Sequence, residues 1–424
     1  MSAIVAPRGT KDVYPPESLA WQVLEGHCRA IAGRFGYGEI RTPMFESTEL
    51  FVRGVGETTD IVEKEMYTFT DKGDRSMTLR PEWTAPVVRA CLEHNLFANG
   101  AVRLFYIGPF FRYERPQKGR YRQANQFGVE CFGFADAEAD VEVMTLALAL
   151  LRRYGITDAR LSINSIGDAH CRPAYQLALR AHLEPHRGAL SLDSQRRLDR
   201  NPLRILDSKA PEDQPFITSA PTFLDTLCDG CRDHFQSVRA HLDAIGAPYA
   251  VEPRLVRGFD YYTRTVFEIT SASLGAQSAL CGGGRYDDLV SSLGGPAVPA
   301  VGFGLGLERF LIALEAAGTQ GAAARHGLQV VTLGAAARRA AIPLVAALRD
   351  GVDMPTYVDY ADRKIAAQFK LADRNNARFA VVVGDDELAR NEVVLRDLNS
   401  RQDRRIAIGA DAHETARTLA AAVA

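Results

Sequence analysis

At 424 residues the chain is too long for one ordinary core, so two or three domains are expected. Hydrophobic residues make up 46% and charged residues 24%, as in soluble globular proteins, and no apolar run approaches a membrane span. The balance of 50 basic against 52 acidic residues leaves a net charge of −2, so a polyanion would have to be met by local patches. The N-terminus MSAIVAPRGTKD lacks a signal-peptide core, and the seven scattered cysteines form no disulfide framework; a cytoplasmic location without membrane contact is expected.

After the turn-rich PRGTKDVYPPE, residues 17–35 place Leu24, Cys28, Ile31 and Phe35 at helical spacing, and Gly36 and Gly38 stop that helix. GEIRTPMFE then runs extended through Pro43, which suits an edge strand or a covered surface; a second subunit is one way to close such an edge. Residues 66–80 read as a hairpin turning at Lys72-Gly73-Asp74. Arg80-Pro81-Glu82-Trp83-Thr84 leads from it into a helix whose apolar side includes Val87, Val88, Cys91 and Leu92. Glu82 and Thr84 at this junction allow two readings: a cap favoured by the helix dipole, or a carboxylate that faces a cleft and grips an ammonium group.

Residues 105–133, FYIGPFFRYERPQKGRYRQANQFGVECFG, read as two strands joined by a long hairpin centred on Pro116 and Gly119. Five of the eleven residues from Arg112 to Arg122 are Lys or Arg, and only Glu114 is acidic. Such a tip repels itself unless it is well solvated or holds an anion, and arginine forks suit phosphates and carboxylates. Glu130 follows in an apolar context where an unpaired carboxylate would be costly. A helix from Ala137 to Tyr154 with Val141, Met144, Leu148 and Leu151 on one stripe, and a strand ARLSIN, complete this part.

Residues 170–250 lack strong strand signals and read as a mostly helical insertion. It contains Cys228-Asp229-Gly230-Cys231, with His234 nearby. No second CxxC and no thioredoxin-like context accompany the pair, so turn-forming cysteines and no metal site are expected. RLVRGFDYYTRTVFEI (254–269) turns back to strands and clusters Arg257, Asp260, Tyr261 and Tyr262. A strand QSALC runs into Gly282-Gly283-Gly284-Arg285-Tyr286-Asp287, where consecutive glycines let the backbone approach something closely. AVGFGLGLERFLIAL sets Gly302, Gly304 and Gly306 ahead of a helix carrying Glu308 and Arg309; no second parallel strand with an acid follows, so a dinucleotide fingerprint is a weak reading. Residues 316–327 form a small-residue linker. Beyond it, strand LQVVTL, a helix with Leu344, Val345 and Leu348, strand TYVDY, a helix with Ile365 and Phe369, and strands RFAVVVG and EVVLRD describe a separate α/β domain.

Several of these stretches match one family. FRYERPQKGRYRQ resembles motif 2 of the class II aminoacyl-tRNA synthetases, GFGLGLERF resembles motif 3, and Pro43 in EIRTPMFE fits motif 1. LVRGFDYYTR and CGGGRYDDL look like signatures of the histidine-specific members, and TLRPEWTA fits as well. In this order the stretches make the chain similar to the bacterial histidyl-tRNA synthetases from PRGTKD to its C-terminal domain. The resemblance implies an α+β class II core at 1–325, an antiparallel sheet flanked by helices with the helical insertion at about 170–250. An α/β anticodon-binding domain at 328–424 would follow. It also implies a homodimer built through motif 1 and an insertion lying against the tRNA acceptor stem.

The activity implied is ATP-dependent attachment of L-histidine to tRNA(His) through a histidyl-adenylate. By family match, Arg112 and Arg257 are catalytic. Arg112, Glu114, Arg120 and Arg309 bind ATP, with Mg²⁺ accompanying it and no dedicated metal cage. Glu130 and Tyr262 would read the imidazole, with Tyr261 beside them; Glu82, Thr84 and Gln126 would hold the α-ammonium, and Trp83, Arg112 and Arg257 complete the histidine pocket. Arg115 and Gln117 would meet the tRNA acceptor end. One departure stands out: the family pattern has Phe-His where this chain has Ala124-Asn125. The rival implication is a paralogue, the non-catalytic histidine-sensing regulatory subunit of ATP phosphoribosyltransferase. That paralogue lacks the anticodon domain and commonly alters the catalytic arginine stretch.

Overall fold

The structure, a computed structural model, describes residues 3–423 except 58, 273, 275–278, 319–324 and 362. Gln277 and Ser278 of the expected QSALC strand and the middle of the expected linker therefore lie outside the described residues. The chain divides into two compact units, Met1–Thr319 and Gln320–Ala424.

The first unit contains strands β1 (Gly38–Glu39), β2 (Phe45–Ser47), β3 (Tyr67–Thr70), β4 (Ser76–Leu79), β5 (Val102–Phe111) and β6 (Gln123–Phe132). It continues with β7 (Ala159–Ser165), β8 (Tyr249–Val251), β9 (Thr263–Ser271), β10 (Ala279–Arg285) and β11 (Ala300–Gly306). The main sheet has the order β1-β5-β6-β11-β10-β9-β7-β8. Its interior pairs are antiparallel, and β1 and β8 join the two edges in parallel. A small sheet β2-β4-β3 lies apart from it.

Alternation along β6 and β11 gives the sheet two unlike faces. Phe127, Val129 and Cys131 of β6, with Val301, Phe303 and Leu305 of β11, pack against the flanking helices in one core that includes Leu24, Met144, Leu150, Phe235, Val238 and Phe310. The opposite face carries Gln126, Gly128 and Glu130, paired across the ladder with Gly306, Gly304 and Gly302. Polar and glycine positions thus share one face, and the glycines make room there for larger side chains: a Cβ at Gly128, Gly302 or Gly304 would overlap Tyr106, Glu130 or Gln126.

Two expectations change in this unit. The helix Asp229–Ala244 packs its Phe235, Val238 and Leu242 into the main core, and β8 pairs with β7, so these elements belong to the core's layers. Residues 254–262 form a loop, and strand begins only at Thr263, because this dense cluster of charge and hydroxyls makes side-chain contacts in place of ladder bonds. The glycine run 282–284 lies inside β10, continuing the strand.

The second unit orders β12 (Leu328–Leu333), β13 (Thr356–Val358), β14 (Phe379–Gly384), β15 (Glu392–Asp397) and β16 (Asp403–Ala407) as β13-β12-β14-β15-β16. Leu344, Val345 and Leu348 fill its core as the pattern predicts. The expected TYVDY strand stops at Val358, and the helix Ile365–Arg374 leaves Ile365 exposed while burying Gln368, which bonds both backbone groups of Thr332. No helix among the described residues is long and apolar enough to cross a membrane.

Candidate active site

A cleft opens on the polar and glycine-bearing face of the main sheet. Glu82, Trp83 and Thr84 reach it from the start of the Thr84–Glu93 helix, Arg112, Glu114 and Arg120 from the β5–β6 hairpin, and Gln126 from β6. Arg257, Tyr261 and Tyr262 come from the loop before β9, and Arg309 from the Leu307–Ala316 helix. Glu130 lies one layer below, 1% exposed. Arg115 and Gln117 stay outside on the exposed hairpin tip, where the backbones of Gln117 and Arg120 bond each other.

The hairpin's basic residues divide by role. Arg122 is spent on structure: its backbone N–H donates to Gly9 O at 2.7 Å and its guanidinium lies 3.9 Å from the Tyr113 ring centre. Arg112 and Arg120 turn inward. Arg112 Nε donates to Pro81 O at 2.8 Å, and Arg120 pairs with Glu114. Arg257 Nη1 lies 2.8 Å from Glu268 Oε2, and Gly282 on β10 provides its room, since a Cβ there would overlap the guanidinium. Arg309 donates to the carbonyls of Gly119 and Ala279, both at 3.0 Å.

Burial lowers the Arg309 pKa, and the positive charges of Arg120 and Arg112 lower it further. Burial likewise lowers that of Arg112. Burial also works against Arg257, but Tyr262, Glu268 and Asp207 outweigh it and hold its pKa above the ordinary value. Four guanidiniums that feel one another, with Glu114 and Glu268 as their paired acids, make a wall that attracts anions.

The floor is carboxylate and hydroxyl. Glu130 accepts from Thr84 Oγ1 at 2.8 Å, from Tyr106 Oη at 3.4 Å and from the Tyr286 hydroxyl. Burial pushes its carboxyl up to about 8 against these bonds. Its hydroxyl partners are thus Thr84, Tyr106 and Tyr286. Tyr262 joins the same aromatic cluster, with ring centres 4.8 Å from Tyr261 and 6.4 Å from Tyr286. The sequence alone assigned no role to Tyr286, although it stands in the CGGGRYDDL stretch, or to Tyr106. Arg285 of that stretch turns away to the buried Asp140 and is structural.

Both readings of Glu82 describe the same carboxylate. It accepts the N–H groups of Thr84 at 2.6 Å and Ala85 at 2.8 Å, opening the helix, and it also faces the cleft. Burial raises its pKa. Trp83 is clamped between the Arg80 guanidinium, 3.3 Å from its ring centre, and Tyr106, stacked at 4.6 Å and 7°. The departure at Ala124-Asn125 is accommodated in two ways. Ala124 opposes Phe110 across the ladder, and Asn125 bonds the Glu308 carboxylate of the motif 3 helix through both backbone and side chain.

The family model described as Histidyl-tRNA synthetase matches residues 9–310, and one described as Anticodon binding domain matches residues 328–414. The histidine–tRNA ligase of Desulforamulus reducens is 50% identical over 405 residues, covering 95% of this chain and 96% of the relative. The apo histidyl-tRNA synthetase structure from S. aureus is 38% identical with a TM-score of 0.81, covering 98% of this chain and all of the other. A structure from Bacillus halodurans, described as an ATP phosphoribosyltransferase regulatory subunit/histidyl-tRNA synthetase, shares the fold at 22% identity and a TM-score of 0.65, over 91% of this chain and 99% of that one. With matches of this length and identity across both the catalytic and the anticodon regions, the chain belongs to the histidyl-tRNA synthetase family.

Proposed function

We propose that this chain is a histidine–tRNA ligase that joins L-histidine to tRNA(His) in two steps. The histidine carboxylate attacks the α-phosphorus of ATP, releasing pyrophosphate, and the terminal ribose hydroxyl of the tRNA then takes the histidyl group from the adenylate. A carboxylate is already a nucleophile at neutral pH, so the first step requires alignment of two anions and neutralisation of charge developing at phosphorus. What supports this reading is the four-arginine wall facing the buried Glu130 floor across one cleft.

In this reading Arg112 holds the α-phosphate and the substrate carboxylate, and Arg257 approaches the same phosphate as the second catalytic cation. Arg309 and Arg120 take the rest of the triphosphate, with Glu114 orienting Arg120. Glu130, Tyr261 and Tyr262 read the imidazole, to which Tyr286 now adds a hydroxyl beside Glu130. Glu82, Thr84 and Gln126 hold the α-ammonium, with Trp83 as their packed wall. Such a polar pocket rejects apolar isosteres strongly, because they leave buried partners unpaired. Mg²⁺ arrives with the triphosphate as part of the substrate: Glu114, Glu268 and Glu308 in this region are already engaged by Arg120, Arg257 and Asn125.

Arg115 and Gln117, exposed at the hairpin tip, meet the acceptor end of the tRNA. Residues 1–325 form the catalytic core, the insertion contacts the acceptor stem, and residues 328–424 read the anticodon. The working form is a cytoplasmic homodimer closed through the motif 1 segment.

The test is histidine-dependent ATP–pyrophosphate exchange together with charging of purified tRNA(His). Glu130→Ala is expected to abolish exchange while keeping the native circular dichroism spectrum. Unchanged exchange in that variant would sink the assignment of Glu130. Histidine binding without charging, accompanied by stimulation of a phosphoribosyltransferase, would instead select the regulatory subunit.

A further inference from the structure

We propose that Asp168, Cys171, Cys228 and Cys231 form a structural zinc site at the root of the insertion. One ligand atom from each of these four residues lies within 4.8 Å of every other. A tetrahedral zinc with Zn–S bonds of about 2.3 Å needs sulfur atoms about 3.8 Å apart, so a small contraction closes the site around an ion. The CxxC pair lacks a second CxxC in sequence. The fold supplies its other half as Asp168-x-x-Cys171, an equivalent spacing with a carboxylate in place of the first thiol.

Local structure fits ligands more than turn-forming cysteines. Cys228 precedes the helix Asp229–Ala244 and Cys231 stands in its first turn, so one helix start brings both sulfur atoms to the same place. The Cys228 N–H donates to Cys171 Sγ at 3.1 Å, the kind of outer bond that steadies a metal thiolate. Asp168 Oδ1 accepts from the N–H groups of His170 (2.9 Å) and Cys171 (3.3 Å), while Oδ2 lies 3.8 Å from Arg264 Nη2. Three thiolates and one carboxylate around a dication leave two net negative charges, one of which Arg264 offsets. Leu227 and Leu224 pack with Cys171 and Cys231 to shield the sulfur atoms. His234 is not a ligand: its Nε2 lies 3.4 Å from Asp140.

The position explains the need for an ion. The helical stretch leaves the core after Cys171 and returns at Cys228, so the four ligands would close its neck. The same turn is bonded to β9, Arg264 N to Gly167 O at 2.7 Å, two residues after the Tyr261–Tyr262 pair of the cleft. Binding releases the thiol protons and ties the insertion to the core next to the active-site loop.

The test uses the full chain, purified in reductant without chelator and then loaded with zinc or cobalt. Mass spectrometry should find about one zinc per chain, and cobalt should give the visible spectrum of a tetrahedral thiolate site. Cys171→Ser and Cys228→Ser should each lower retained zinc by about tenfold or more, as loss of a ligand would, while Asp168→Cys and the control Cys28→Ser keep it. Less than about a tenth of an ion per zinc-loaded wild-type chain, against the one expected of a structural site, would overturn the proposal. So would an octahedral cobalt spectrum, or a disulfide within the cluster in reduced protein. If the serine variants fail to fold, the wild-type stoichiometry and cobalt spectrum still decide.

Discussion

Asn125 gives both its backbone N–H, at 2.9 Å, and its side-chain amide, at 3.0 Å, to the one carboxylate of Glu308. The bond ties the return strand of the arginine hairpin to the helix that carries Arg309, so two walls of the cleft move together. Asn125→Ala keeps the backbone bond and loses the side-chain one. A hydrogen bond to a charged group is worth about 1.5–3 kcal/mol, so stability should fall by about that much and the KM for ATP in pyrophosphate exchange should rise several-fold. Asn125→His, which restores a ring N–H donor and the family residue, should recover most of both. Unfolding curves and exchange kinetics on the two variants check this, and an unchanged KM for ATP in Asn125→Ala would show that the tie does not matter to the site.

Glu130 carries a pH signature. Its carboxyl titrates at about 8 in the fold against an ordinary 4.5, because burial outweighs its three hydroxyl partners. As pH rises, the unfolded chain loses this proton first, so the native state binds more protons and stability falls with pH. The contribution is complete below pH 4.5 and is lost progressively up to about 8. Glu130→Gln removes that slope. Urea unfolding of both proteins at about pH 5 and about pH 8 should show the variant gaining a few kcal/mol relative to wild type over this interval. Parallel pH profiles would mean the carboxyl is ionised throughout.

Much of the architecture was readable because it rests on local periodicity. The alternation of β6, with Phe127, Val129 and Cys131 on one side and Gln126 and Glu130 on the other, follows from a period of two alone. The charged strand β16, DRRIA, was missed because an edge strand keeps its charges in water and so shows little apolar alternation. Partnerships between distant residues were hidden for another reason. Tyr286 reaches Glu130 across 156 residues, and Cys171 reaches Cys228 across 57. No spacing rule encodes such contacts; they exist only once the sheet order β6-β11-β10-β9-β7 is formed. The Glu82 junction stayed ambiguous because one carboxylate serves both as helix opener and as cleft wall.

Gly282 tests the seat of Arg257. A Cβ at this position would overlap the Arg257 guanidinium, which is otherwise fixed by Glu268 at 2.8 Å. The Arg257 side chain comes from a loop and can move, whereas β10 is bonded on both edges. Gly282→Ala should therefore displace the guanidinium and spare the fold. Loss of one well-placed donor to a developing charge typically costs about 10²–10³ in rate, so kcat for adenylate formation should fall by that order. Arg257→Ala should do the same, and the double variant should add little. A Gly282→Ala enzyme with near-normal kcat would show that Arg257 is not the group acting at phosphorus.

The insertion reaches the active-site loop through Asp260. Arg204 Nη2 lies 2.7 Å from Asp260 Oδ1, Asn201 Nδ2 lies 3.3 Å from the same oxygen, and Arg172 Nη1 donates to the Asp260 carbonyl at 3.2 Å. Asp260 stands between Arg257 and the Tyr261–Tyr262 pair, so these bonds set the course of a loop without regular secondary structure. The Arg204 side chain is 12% exposed, so its removal takes a charged partner from Asp260 at a site that water screens only in part. Arg204→Ala should lower kcat for histidine activation about tenfold, matching about 1.4 kcal/mol of lost positioning, although Arg204 itself does not line the cleft. Asp260→Ala should produce a similar loss. Because the two residues act through one contact, the double variant should fall well short of the sum of the single effects. Additive losses would mean that Arg204 and Asp260 influence catalysis by separate routes, and that the insertion does not position the loop through this pair.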